Sequence, residues 1–183
     1  KLICSTISNE VEWIFLKQTG VTRKIDELGR IVIPKEIRKN LGIRNGEALE
    51  IFTNEDSIIL KKYFEVQKYE DLSGKLCELI KNIYNVDLVI TDREKVISSS
   101  NKEIMENSKL NNKFLELIDN REMFISKELS TINFGNDVSG YYTVVPIIAS
   151  SDSLGLVILI SASGNDYTFL GKLLAKIIAD KID

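Results

Sequence analysis

The sequence predicts an α+β protein in two parts: a small strand-rich N-terminal module that must pair with a copy of itself, and a larger C-terminal α+β domain on an antiparallel sheet. Three observations predict this. Between residues 17 and 63, short β-branched runs alternate with turn residues around one short helix. At Tyr69 the apolar spacing changes to a helical period. From Val86 onward, strand-length apolar runs are framed by that helix and by a second, broadly striped one at the C-terminal end.

Residues 1–16 begin without Met, and Val11 to Leu16 is a short apolar run. The charged start and small-residue cleavage site of a secretory signal are missing or weak. The segment reads as an extra N-terminal stretch ahead of a start at Leu16 through a UUG codon. Val11-Glu12-Trp13 can be encoded with a ribosome-binding GGAG. The rival reading is a genuine extra strand or arm.

In the module over 17–63, Val21 to Ile25 is a strand candidate and Asp26-Glu27-Leu28-Gly29 a turn, with Gly29 supplying the permissive backbone. Arg30-Ile31-Val32-Ile33 reads as a buried strand. Pro34 stops it and suits the first turn of a helix that runs to about Leu41 and closes at Gly42. Arg44-Asn45-Gly46 makes a turn, and Glu47–Thr53 and Ser57–Tyr63 form a hairpin across residues 54–56. A ββαββ unit this small buries too little apolar surface alone, and no disulfide or metal ligand staples it. Ile31, Val32, Ile33, Leu49, Ile51, Phe52, Ile58, Ile59 and Leu60 all call for burial. An intimate dimer that completes one barrel from two copies satisfies them.

Composition removes several function classes. The chain has no histidine, so His triads, His metal sites and His general bases are excluded. Cys4 and Cys77 lie far apart and form no metal or redox spacing, which fits a reducing cytoplasm. No run of about 18 apolar residues occurs, so no membrane partner is expected. The net charge of −3 conceals a segregation: residues 17–63 carry 10 Lys and Arg against 7 Asp and Glu, whereas residues 64–183 carry 13 against 18. A basic front and an acidic back direct a polyanion to the front. Arg23, Lys24, Arg30, Arg38 and Lys39 cluster in the first half of the module, with Arg38 and Lys39 about 100° and 200° around the helix from Ile37. Doubled by a two-fold, they follow phosphates and offer guanidiniums to guanine edges. The competing use is a solvated surface of ion pairs, such as Asp26 or Glu27 with Arg30.

The stretch Thr19-Gly-Val-Thr-Arg-Lys-Ile-Asp-Glu-Leu-Gly-Arg-Ile-Val-Ile-Pro-Lys-Glu-Ile-Arg-Lys, then Leu41-Gly-Ile, Leu49-Glu-Ile-Phe and Ile59-Leu-Lys-Lys-Tyr, resembles the AbrB family. The Asp-Glu-Leu-Gly-Arg-Ile-Val-Ile-Pro block is that family's signature. The resemblance implies a swapped-hairpin β-barrel dimer that binds double-stranded promoter or operator DNA. By position it places DNA contacts on Arg23, Arg30 and Arg38. It places a fourth on Lys39, where a lysine suits phosphate rather than bidentate base contact, and Lys24 matches a further basic position.

Residues 64–67 read as a short, stiff linker without Gly or Pro, and residues 68–183 as the second domain. Tyr69, Leu72, Leu76, Leu79 and Ile83 form a narrow seam of coiled-coil spacing; its alternative use is to cover the domain's own sheet. Val86–Thr91 and Lys95–Ser98 are strand candidates, 102–107 and 109–120 polar helices, and Asn133–Gly140 a polar loop. Tyr141–Ile148 and Leu154–Ser161 are apolar strands. Asp166–Lys181 is the last helix, striped by Phe169, Leu170, Leu173, Leu174, Ile177 and Ile178. Behind an AbrB-type start, this layout resembles the sporulation regulators of that family that carry a GAF domain. The resemblance implies a homotetramer, paired through its GAF-like domains, that activates and represses sporulation-stage genes. An unidentified small molecule could be lined by Ser98, Ser99, Ser100, Asn101, Tyr141 and Thr143; the alternative is an unliganded oligomerisation domain. No catalytic residues, metal site or cofactor are expected, because no His, Cys or carboxylate constellation and no phosphate loop occurs. The alternative function is an antitoxin-like DNA-binding autoregulator, disfavoured because antitoxins usually end in a short disordered tail.

The isolated segment 17–63 should sediment at equilibrium as a folded dimer, since one copy cannot cover its own apolar strands. A stable monomer at micromolar concentration would refute this.

Overall fold

The computed structural model describes residues 2–7, 10–15, 19–54, 57–64, 66 and 69–182. The chain divides into two compact units, residues 1–63 and 64–183.

In the first unit, β1 (Leu2–Ile7) and β2 (Glu10–Phe15) form an antiparallel pair, with Leu2 opposite Phe15. α1 (Lys35–Asn40) follows Pro34. β3 (Leu49–Asn54) and β4 (Ser57–Lys62) form the expected hairpin, with Ile51 opposite Leu60. The strands expected over 21–25 and 30–33 are not formed: residues 19–34 have no regular structure apart from the turn at 27–29. A strand exists only by pairing, and a single chain offers these segments no partner. No described residue from 19 to 64 is buried, and Ile25, Leu28, Val32, Ile51 and Ile58 are more than 60% exposed.

The second unit is a six-stranded antiparallel sheet with helices on both faces. Its elements in order are α2 (Glu70–Tyr84), β5 (Asp87–Thr91), β6 (Val96–Ser99), α3 (Asn112–Asn120), β7 (Phe124–Ile125), β8 (Ser130–Asn133), β9 (Asp137–Ala149), β10 (Asp152–Ser161) and α4 (Thr168–Ile182). The strand order is β6-β5-β10-β9-β7, and β8 also pairs with β9. Alternation along the strands sends side chains to two cores. Leu88, Ile90, Val145, Ile147, Val157 and Leu159 meet Cys77 and Ile80 of α2 and Leu174 and Ile178 of α4. Val89, Val144, Leu156, Ile158 and Ile160 meet Phe114, Leu117 and Ile118 of α3. Val66, within the stretch read as a linker, is buried in the first of these cores.

Local chemistry sets the ends of these elements. α2 carries Glu70 and Asp71 in its first turn, where they complement the helix dipole, and stops at Asn85 in the left-handed conformation. The side chain of Asn111 caps α3 by accepting from the Phe114 N–H. Pro146 sits inside β9 opposite Leu156; β7 has already ended its pairing at Val144, so among the described residues β9 has a free side there.

Two further expectations are corrected. Residues 102–107 form turns rather than a helix, because the buried Ile104 is fixed by a local Ile104 N–H to Asn101 C=O bond. Residues 133–140 are not a loop: β8 and β9 pair across them, with Asn133 opposite Asp137. α2 takes the second of the two uses open to its seam and covers the sheet: it buries Ser73, Cys77 and Ile80, with Leu76 packed against the same core, and leaves Leu79 and Ile83 exposed.

Gly155 is where β10 meets the end of β5. A Cβ there would lie 1.9 Å from the Thr91 carbonyl oxygen, so backbone would have to move. Gly155→Ala should lower the thermal midpoint, with a cost at or above the roughly 1–3 kcal/mol of ordinary overpacking. Calorimetry that finds an unchanged midpoint would show that the contact is loose.

Candidate nucleic-acid interface

The five basic residues singled out in the sequence lie around one turn and one helix. Arg23 and Lys24 are exposed on the irregular segment before the turn, and Arg23 Nη1 donates to the neighbouring Thr22 carbonyl. Arg30 follows the turn. Lys39 is exposed on α1, whereas Arg38, one residue earlier, is half-buried.

The turn is organised by Asp26. Its Oδ1 accepts from the backbone N–H groups of Leu28 and Arg30, at 3.0 and 2.8 Å. Its Oδ2 accepts from Arg30 Nε at 2.7 Å. Gly29, at φ +75°, lets the chain close, and the Gly29 N–H donates to the Asp26 carbonyl. The expected ion pair therefore exists, yet it engages only Nε; both Nη groups of Arg30 have no partner among the described residues. An ion pair this exposed adds little stability; its effect is to aim the guanidinium. The Arg30 backbone N–H, and then its guanidinium, hold the Asp26 carboxyl below the ordinary aspartate value of 3.8.

The helix is closed by a Schellman motif: Ile43 N–H donates to the Arg38 carbonyl at 2.8 Å and Gly42 N–H to that of Lys39 at 3.2 Å. Gly42, at φ +63°, makes this possible. The chain then turns back and brings Asn45 to Arg38, whose Nη1 donates to Asn45 Oδ1 at 2.7 Å. Asp26 and Asn45 are the hydrogen-bonding neighbours of Arg30 and Arg38 that the motif alone does not single out. Asp26 was weighed only as a competing ion pair, and Asn45 only as a turn residue.

The residues read as lining a small-molecule site are not brought together. Across the register shift in β6, Ser98 lies opposite Ile90 on the α2 and α4 side and Ser99 opposite Val89 on the α3 side. Thr143 falls on the α2 and α4 side between Tyr142 and Val144, but on β9, with β5 and β10 standing between it and Ser98. Ser100 and Asn101 hydrogen-bond Asp87, and Ser99 bonds Asn101, so their polar groups serve the end of β6. Tyr141 packs against Gly164. Cys77 is an inert core thiol, pushed up to about 12 by burial.

A basic first unit around one short helix, followed by a helix-covered sheet, defines a two-part protein. Residues 68–182 match the model for the stage V sporulation protein T C-terminal transcription-factor family, and the chain belongs to that family. Stage V sporulation protein T of Bacillus subtilis is 34% identical over 152 residues, covering 80% of this chain and 85% of the relative. Residues 22–66 match the model for MazE, a bacterial antitoxin of the antidote-toxin recognition type. The transition state regulatory protein AbrB of Bacillus subtilis is 58% identical over 50 residues, covering 27% of this chain and 52% of AbrB. The solution structure of the N-terminal DNA recognition domain of AbrB is 58% identical, covers 26% of this chain and 91% of that one, and superposes with a TM-score of 0.23. That likeness rests on sequence alone.

If Arg30 meets DNA, Arg30→Ala should weaken binding by about 1–3 kcal/mol without unfolding the module, as read by titration calorimetry. Lys39→Ala should weaken all sequences alike and flatten the salt dependence. A depressed aspartate pKa contributes stability above its unfolded value and loses it as pH falls through the folded value. A carboxyl-detected NMR titration should therefore place Asp26 below 3.8, and Arg30→Ala should move it upward. A midpoint unchanged by that substitution would remove the Asp26–Arg30 link.

Proposed function

We propose that this chain is a sequence-specific DNA-binding transcription regulator of sporulation-stage genes, acting as activator and repressor. One observation carries the reading: the five-cation set of Arg23, Lys24, Arg30, Arg38 and Lys39 lies in a segment, 19–64, in which no described residue is buried. Exposed apolar surface of that extent is covered by a partner. A swapped-hairpin barrel made from two copies covers it, gives residues 21–25 and 30–33 the strand partners they lack, and doubles the cations. The strong sequence likeness to a DNA recognition domain supports the same reading. Arg23, Arg30 and Arg38 meet base edges and phosphates, while Lys24 and Lys39 meet phosphates.

The domain boundaries follow the function: residues 17–63 bind DNA, 64–67 connect, and 68–183 form a GAF-like regulatory domain that joins two dimers into a tetramer. α2 and α4 cover the same face of the sheet, and each leaves an apolar outer side: Leu79 and Ile83 on one, Phe169, Leu173 and Ile177 on the other. Dispersal of the polar residues around the sheet favours this assembly role over small-molecule sensing. A second reading, an antitoxin-like autoregulator, draws on the match of residues 22–66 to the MazE model. It gives residues 68–182 no task, and co-purification of a toxin would favour it.

Ile83→Asp with Phe169→Asp should halve the mass of the assembly in sedimentation while leaving far-ultraviolet circular dichroism unchanged. Binding to a long duplex with two sites should fall roughly 100-fold, and binding to a short single site much less. Equal losses on both duplexes would overturn the tetramer. Failure of the unaltered chain to bind promoter DNA in a salt-dependent manner would overturn the function.

A further inference from the structure

We propose that Asn45 is a positioning residue that fixes the guanidinium of Arg38 for DNA, an inference that rests on Arg38 being a DNA contact. The loop after α1 takes both ends of Arg38. Its carbonyl accepts the Ile43 N–H at 2.8 Å, and its Nη1 donates to Asn45 Oδ1 at 2.7 Å. Asn45 is itself set by the turn Arg44–Glu47. Gly46 sits at φ +81°, the value that the third position of a type II turn requires. The Arg44 N–H donates to Glu47 Oε2 at 2.7 Å, and the Glu47 N–H to the Arg44 carbonyl at 3.4 Å.

Arg38 Nε is buried without a partner among the described residues. Nη2 and the second hydrogen of Nη1 are what remain for DNA. A guanidinium so held has already given up side-chain freedom that it would otherwise lose on binding, which is worth roughly threefold to tenfold in affinity.

The acceptor is neutral, and this matters. Arg30 is aimed by the carboxylate of Asp26, which offsets part of its charge. The Asn45 amide aims Arg38 and leaves its full charge for phosphate or guanine. A carboxylate at the same place would keep the aim and lose attraction.

The test is a double-mutant cycle in the full chain, on a duplex selected from a random pool by the unaltered protein. Asn45→Ala should weaken binding threefold to tenfold, and Arg38→Ala more. The double variant should match Arg38→Ala within a factor of two. Asn45→Asp should keep the sequence preference of the unaltered chain but bind more weakly, with a shallower salt dependence. Thermal unfolding is followed in parallel, and Asn45→Ser replaces Asn45→Ala if the latter unfolds. Additive losses in the double variant, or an Asn45→Ala chain of unchanged affinity, overturn the proposal. An Arg38→Ala chain of unchanged affinity, with Arg30→Ala still impaired, shows that the assignment of Arg38 to DNA has failed and removes the proposal with it.

Discussion

The second unit depends on one strand. β10 is fully buried from Leu156 to Leu159, and successive side chains there serve opposite cores. Val157 and Leu159 pack toward α2 and α4, Leu156 and Ile158 toward α3. Both helical layers therefore rest on a single central strand, and neither can loosen without exposing residues that the strand shares with the other. The glycine at its entrance, Gly155, lets this strand lie against β5 with backbone touching backbone. Among the described residues from 19 to 64 nothing comparable is found, and the same kind of apolar residue stands in the open.

That contrast explains what could be read from the sequence. β5 and β10 were legible because a strand covered on both faces becomes a continuous apolar run bounded by turns. α4 was legible for the opposite reason: its stripe is broader than one buried face, and the surplus lies outside. The seam on α2 marked a helix that covers the sheet but not its buried positions, because Leu72, Leu76, Leu79 and Ile83 recur more regularly than the residues that are buried. Ser73 occupies a core position that no hydrophobic count would choose. β7 is two residues long, and β8 alternates weakly, so neither rises above its surroundings. Pairing with the long β9 makes them strands.

The candidate site was legible as a set of charges and illegible as a geometry. Arg23, Lys24, Arg30, Arg38 and Lys39 stand out from composition and motif. What each does with its hydrogen bonds depends on short return loops. Asp26 and Arg30 are four residues apart across a glycine turn. Arg38 and Asn45 are seven apart across a Schellman motif, a separation that no helical or strand period singles out. The glycines at 29, 42 and 46 were visible as turn formers, and their positive φ values bring these pairs together.

The open apolar surface of residues 19–64 bears on timing. In the proposed dimer the module is covered by a second copy of itself, so the fraction folded rises with its supply, because a partner that binds only the folded form shifts the folding equilibrium by mass action. Its working population then rises more steeply than the amount of chain made, and falls more steeply when synthesis stops. Control exerted through such a module acquires a threshold without any further component. In that dimer, the apolar surface left open on the described residues from 19 to 64 becomes a gauge of how much regulator has accumulated.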